Sequence, residues 1–316
     1  MNSIKNENEM ALVTIVIPTY NHAEKLNVAL QSILRQTFTA WKVIVVNNFS
    51  TDNTIDIVNS FADPRIHLFN FKNNGVIAAS RNYAMKLADT KFIAFLDSDD
   101  IWYEKKLEIC IEALNKGFDL VCHGEAIIKD GIKIRNRLYG PLHSASFENL
   151  LFKGSVLSPS AVVMKLSFAQ DIGFMSEDNS IITAEDYDFW IKLASKRNMK
   201  MKFINEILGE YHLYENNASN AIEKHNNAVI NVVNNHFYSE VEKSIYNYCR
   251  YKKRISIVYY LKSRQYFEKN DFKNGFKNLF KLLLTFPDII RIIILFLLIM
   301  KILLLKQKAK GQKMYI

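Results

Sequence analysis

Cysteine is scarce in this chain of 316 residues: Cys110, Cys122 and Cys249 are far apart and odd in number. That excludes a disulfide framework and a zinc cluster, and it points to reduced thiols in a cytoplasmic setting. The opening stretch MNSIKNENEM lacks the apolar core of a secretory signal, so cytoplasmic residence is expected. No internal repeat is evident, which sets repeat arrays aside. Acidic residues are nearly missing from one end. Residues 241–316 carry 17 Lys and Arg against 4 Asp and Glu, whereas residues 1–240 carry 24 against 28. The net charge of +9 therefore belongs to the tail, and the two parts of the chain call for different partners.

What is present is ample apolar material, 49% of residues with 12% aromatic, enough for a sizeable core. Short β-rich runs at 13–18, 42–46, 66–69, 92–96 and 120–122 alternate with helical stretches at 23–36, 54–61, 76–87 and 104–114. Asn21 followed by Glu24 reads as a capping box for the first helix. This alternation predicts an α/β fold, a mostly parallel central sheet with helices on both faces. In such sheets ligands bind beyond the carboxyl ends of the strands, where PTYN (18–21), NNFSTDNT (47–54) and LDSDD (96–100) fall. Residues 124–215 read as loops and short elements, apart from a helix over 184–196 whose first turn is acidic, as the helix dipole favours.

LDSDDIW (96–102) places three carboxylates directly after the apolar run FIAF (92–95). Asp and Ser also form ordinary solvated turns. The other reading is a hard cation, since a site that also binds phosphate needs only one or two carboxylates.

VTIVIPTYN, VIVVNNFSTDNT, NNGVIAASRNYAMKLA, FIAFLDSDDIW and GFMSEDNSIITAEDYDFWIKLA occur in that order. Together they resemble the signatures of family 2 glycosyltransferases over roughly residues 11–215. The resemblance implies the GT-A fold, a nucleoside diphosphate sugar donor, a divalent metal (Mn²⁺ or Mg²⁺) and one inverting displacement. Asp97-Ser98-Asp99 corresponds to the family's DXD motif, with Asp99 on the metal, Asp97 near ribose and metal-bound water, and Asp100 assigned to the following helix start. Pro18, Thr19 and Tyr20 correspond to the segment lining base and ribose. Relatives carry an Asp at the uracil where this chain has Asn47, whose amide oxygen is still an acceptor. Uridine stays the preferred base. Asp52 either contacts the base or caps the next helix, and Arg81 either reaches the nucleotide or holds the acidic loop. Glu185-Asp186 corresponds to the family's Glu-Asp pair, with Asp186 favoured as general base and Glu185 as an orienting neighbour; Asp188 faces elsewhere, and Trp190 is core or a sugar platform. The family's Tyr-Arg-x-His becomes Tyr211-His212-Leu213-Tyr214, so any diphosphate contact there passes to His212 or Tyr214. The Gln-x-x-Arg-Trp motif of processive synthases is missing, which favours single addition.

Residues 255–286 read as two helices around Lys269-Asn270-Asp271, and then comes IIRIIILFLLIMKILLLK (289–306). Residues 292–305 as a helix span roughly 21 Å, short of the about 30 Å of a hydrocarbon core. The expected arrangement is a helix lying on an anionic membrane surface rather than a nucleic-acid groove. The division expected is a flexible terminus (1–10), a catalytic domain (11–215), a helical extension (216–286) and a membrane-associating helix (287–316). The implied function is sugar transfer to a glycan acceptor, lipid-linked, at the inner face of the cytoplasmic membrane in cell-surface polysaccharide assembly. Direct transfer to a polyprenyl phosphate and a non-catalytic nucleotide-sugar-binding or membrane scaffold of the same fold are the alternatives.

Overall fold

The computed structural model describes residues 11–196, 199–214 and 221–312, with side chains as far as Leu305. The expected terminus at 1–10 lies outside the described residues, as does the segment after Tyr214. Two compact units are present: the described residues of 1–150, 154–179 and 185–217, and those of 151–153, 180–184 and 218–316.

The first unit runs β1 (Val13–Thr19), α1 (Ala23–Leu34), β2 (Trp41–Asn47), α2 (Thr54–Ser60), β3 (Ile66–Asn70), α3 (Ile77–Leu87), β4 (Phe92–Phe95), β5 (Ile101–Trp102), α4 (Lys106–Asn115), β6 (Leu120–Lys129) and β7 (Ile132–Arg137). After α5 (Phe147–Lys153) come β8 (Val162–Lys165), α6 (Leu166–Asp171), α7 (Glu185–Ala194) and β9 (Met201–Leu213). One nine-stranded sheet has the order β3-β2-β1-β4-β8-β6-β9-β5, with β7 on β6. The expected parallel pairing holds across β3-β2-β1-β4. Beyond β4 the sheet is mixed: β8 is antiparallel to β4 and β6, while β9 runs parallel to β6.

Residues of β1 alternate between two faces, as any strand requires. Ile15 and Ile17 join Val43, Val45, Phe92 and Ala94 in a core with Leu26 and Ile33 of α1 and Leu107 and Leu114 of α4. Phe95, out of phase with Ala94, meets Phe189 and Trp190 of α7 at ring distances of 6.3 and 6.4 Å. Both faces are therefore covered over the central strands, while β3 and β7 stay partly or wholly exposed.

The second unit contains α8 (Ile222–Glu240), α9 (Ile245–Glu268), α10 (Phe272–Thr285) and α11 (Ile289–Gln312). Asn270 turns the chain at φ 61°, and Asp271 caps α10 by accepting from Asn274 N–H at 3.0 Å. Leu295 and Ile299 of α11 are buried with Tyr260, Phe267, Leu279 and Leu282. Most other apolar side chains of α11 face outward, among them Ile290, Leu297 and Leu304 at 72%, 65% and 54% exposure. Among the described residues no helix is long and apolar enough to cross a membrane.

Candidate active site

Three strand ends bring the polar segments together. Thr19 pairs with Asn47 and Val16 with Phe95, so β1 sits between the other two ends. Asn48 N–H donates to the Thr19 carbonyl at 3.0 Å. The Asn21 side-chain oxygen accepts from Thr51 N–H at 2.8 Å, and His22 Nδ1 meets Ser98 Oγ at 2.8 Å. The capping box expected at Asn21 is thereby corrected: Asn21 sits at φ 50°, its oxygen is spent on the neighbouring loop, and His22 is the N-cap of α1.

Pro18 and Thr19 are buried in β1, whereas Tyr20 is 53% exposed. Thr19 Oγ1 is buried without a hydrogen-bond partner among the described residues. Asn47 is fully buried. Its oxygen accepts from Ser50 N–H and Ser50 Oγ at 3.0 and 2.6 Å, and its amide donates to Asn70 Oδ1 at 2.8 Å. The oxygen offered to the base in the sequence reading thus closes the turn after β2. Asp52 accepts from Ala23 N–H at 2.9 Å and from Thr54 N–H and Oγ1 at 3.1 and 2.5 Å. It ties the starts of α1 and α2, which is the capping alternative.

The acidic turn follows β4. Asp97 Oδ1 accepts from Arg81 of α3 at 2.6 Å. Burial works against the Arg81 charge, but Asp97, Glu185 and Asp186 outweigh it and hold the guanidinium above its ordinary value. Arg81 therefore lies within the field of both acidic motifs. Burial first, then repulsion from Asp97, pushes the Asp99 carboxyl up to about 6. Asp100 does not belong to the next helix, which begins only at Lys106. It is 2% exposed and turned inward, accepting from Ser160 Oγ at 2.6 Å and from His212 N–H at 3.0 Å.

Glu185 and Asp186 open α7. Burial, then the Glu185 charge, pushes Asp186 up to about 6, with Arg81 pulling the other way. Asp188 pairs with Lys192 at 2.7 Å. Trp190 has no exposed surface, so it is core and cannot be a sugar platform. The His212 and Tyr214 rings stack at 6.0 Å, and His212 Nε2 bonds Glu210 Oε2 at 2.9 Å.

Sequence reasoning missed Ser160 and Lys25, and it gave no role to Asn82, which with Arg81 resembles the family's Arg-Asn pair. Asn82 donates to the Met175 carbonyl at 2.9 Å, accepts from Met175 N–H at 3.0 Å and donates to Glu177 at 2.8 Å, so it fixes the segment that leads to Glu185. Lys25 places Nζ 3.4 Å from the Tyr214 ring centroid and acts electrostatically on Asp99. A lysine in the first turn of the first helix was the visible signal for Lys25; Ser160 had none nearby.

No group of three or more His, Cys, Asp or Glu side chains among the described residues is placed to hold a metal. A diphosphate-bound Mg²⁺ or Mn²⁺ needs one or two carboxylates, the rest of its shell being substrate oxygen and water. Asp97 and Asp99 fit that demand, and their mutual repulsion is what a cation would relieve.

The architecture has solved counterparts. S. aureus TarS (residues 1–349) in complex with UDP-GlcNAc matches with a TM-score of 0.57 over 84% of this chain and 89% of that one. The mannosyltransferase PcManGT from Pyrobaculum calidifontis, in complex with GDP-Man and Mn²⁺, matches with a TM-score of 0.57 over 90% and 79%. Identities of 18% and 14% make this a likeness of fold: GT-A. The protein is a glycosyltransferase, and the model of "Glycosyl transferase family 2" matches residues 14–173; the chain belongs to that family. Among its relatives, the UDP-Glc:alpha-D-GlcNAc-diphosphoundecaprenol beta-1,3-glucosyltransferase WfgD of Escherichia coli is 30% identical over 66% of this chain and 79% of that protein. The putative teichuronic acid biosynthesis glycosyltransferase TuaG of Bacillus subtilis is 29% identical over 66% and 81%.

Proposed function

We propose that this protein moves one sugar from a nucleoside diphosphate sugar, UDP-linked, to a hydroxyl of a lipid-linked glycan, with inversion at the anomeric carbon. The observation that carries the reading is Arg81, which bonds Asp97 and acts electrostatically on both Glu185 and Asp186. One buried cation thus joins the donor-side acids to the pair suited to proton transfer. Two relatives support the acceptor and donor classes: WfgD is named for transfer from UDP-Glc to a diphosphoundecaprenol-linked sugar, and TarS binds UDP-GlcNAc.

In the proposed reaction Asp186 takes the proton of the acceptor hydroxyl as its oxygen attacks the anomeric carbon. The bond from that carbon to the diphosphate oxygen breaks, and the diphosphate leaves with the electron pair. Glu185 orients the acceptor, while Pro18, Thr19 and Tyr20 line the nucleotide. Arg81 keeps Asp97 aimed into the crevice. Asp97 and Asp99 would hold a divalent cation, which would supply charge neutralisation for the leaving group. His212 and Tyr214, with Lys25 against the Tyr214 ring, lie in the field of Asp99.

The outward apolar face of α11 lies on an anionic membrane surface in this reading, with the exposed Lys301 meeting lipid headgroups. Transfer then takes place at the cytoplasmic membrane face. The test is a panel of UDP-Glc, UDP-GlcNAc and GDP-Man, assayed for nucleoside diphosphate release with and without Mn²⁺ and a diphosphopolyprenol-linked sugar. Release that rises with acceptor and Mn²⁺ is expected; a panel with no donor turned over sinks the reading.

A further inference from the structure

Behind the acidic turn, the short segment Ser158-Pro159-Ser160 serves two buried carboxyl groups. Ser160 is 2% exposed. Its Oγ accepts from Asp97 N–H at 3.1 Å and donates to Asp100 Oδ2 at 2.6 Å. Its carbonyl accepts from Trp102 Nε1 at 2.8 Å. The other Asp100 oxygen accepts from His212 N–H at 3.0 Å. Two residues earlier, Ser158 bonds the Glu125 carboxyl, which also accepts from Tyr139 Oη at 2.5 Å.

Three segments distant in sequence therefore meet at one hydroxyl and one carboxyl: the acidic turn, the 158–160 segment and the end of β9. Pro159 begins a 3-10 turn, and its fixed φ removes one freedom from the segment. Both Asp100 oxygens are taken by donors on the inward side, so Asp100 does not face the crevice as Asp97 and Asp99 do. Without the Ser160 hydroxyl, Asp97 N–H and Asp100 Oδ2 would both lose their partner in a buried place. Unpaired buried groups are expensive, so the turn would shift to re-pair them, and the Asp97 and Asp99 carboxylates would move with it.

We infer that Ser160 and Asp100 are positioning residues of the transfer site, a clamp that sets how Asp97 and Asp99 are presented and holds the His212–Tyr214 end of β9 beside them. The inference rests on the sugar-transfer reading of the acidic turn. It adds two residues that touch neither donor nor acceptor, and it takes the third acid of LDSDD out of cation binding.

The experiment compares wild type with Ser160→Ala, Ser160→Thr and Asp100→Asn. UDP and GDP binding is titrated by calorimetry with and without Mn²⁺, alongside melting temperature. Ser160→Ala is expected to weaken Mn²⁺-dependent binding by about tenfold or more, the scale of leaving a buried hydrogen-bonding group unpaired. Ser160→Thr, which keeps the hydroxyl, is expected to restore most of it, and Asp100→Asn to match the Ala variant. Binding by Ser160→Ala equal to wild type, with only the melting temperature lowered, would overturn the clamp, as would failure of Thr to restore binding. Should Ser160→Ala not fold, Asp100→Asn decides: weakened binding in a folded protein supports the clamp, and unchanged binding overturns it. A wild type that binds neither nucleotide with Mn²⁺ removes the sugar-transfer reading itself, and the clamp falls with it.

Discussion

Arg81 and Asp97 are joined at 2.6 Å, the arginine side chain 6% exposed and the aspartate side chain 30%. A guanidinium so deeply placed is held by its acids, and its Nε has no partner among the described residues. Arg81→Lys keeps the charge and loses the planar fork, so it is not conservative here. We expect kcat/KM to fall by at least about tenfold, the equivalent of ~1.4 kcal/mol. A lysine variant with wild-type kinetics would argue that Arg81 serves packing alone.

Asp99→Asn is expected to abolish Mn²⁺-dependent donor binding while leaving the fold intact. The sign of its stability effect follows from the raised carboxyl. With a folded value of about 6 against about 3.9 in the unfolded chain, the folded state holds the proton more tightly. Stability from this group therefore declines as pH rises from about 4 to about 6. Without metal, the Asn variant should melt at or above the wild-type temperature at pH 8. Thermal melts with and without Mn²⁺ check both statements.

Asp186→Asn is nearly isosteric and removes the proposed proton acceptor. The rate should fall by about 10²–10⁴-fold with donor affinity little changed. Because burial and Glu185 push Asp186 up to about 6, the wild-type rate should drop as pH falls through about 6, where the base becomes protonated. A large loss in Glu185→Gln and none in Asp186→Asn would reverse the assignment within the pair.

The two sides of α11 should respond differently. Leu297→Glu and Leu304→Glu alter outward positions, so stability should stay within about 0.5 kcal/mol while membrane sedimentation is lost. Leu295→Ala removes a fully buried side chain and should cost about 2–5 kcal/mol. Wild-type protein that stays off anionic vesicles at low salt would refute the membrane reading.

Much of this organisation was legible in the sequence because it is local. FIAF runs straight into LDSDD, and Lys269-Asn270-Asp271 breaks a helical pattern where Asn270 adopts positive φ. What was not legible is long-range. Asp100 looked like the start of a helix because its partners, Ser160 and His212, lie 60 and 112 residues away. Asn21 looked like a cap because Thr51 could not be seen opposite it. Strands β8 and β9 were read as irregular chain: β8 is only four residues long, and β9 contains Gly209, where a Cβ would stand 2.8 Å from the Ile101 carbonyl oxygen. That close approach, which the pairing with β5 demands, has no signature in the residues beside it.

Asn82 closes a two-way ring with the Met175 backbone, donating to its carbonyl and accepting from its N–H. A side-chain amide is standing in there for a strand neighbour, so α3 borrows the grammar of a sheet to hold a loop. Aspartate has the length but no donor, and glutamine has both groups on a stem one carbon longer. Side-chain length at this position is therefore a ruler. It sets how far the chain at Met175 can stand from α3.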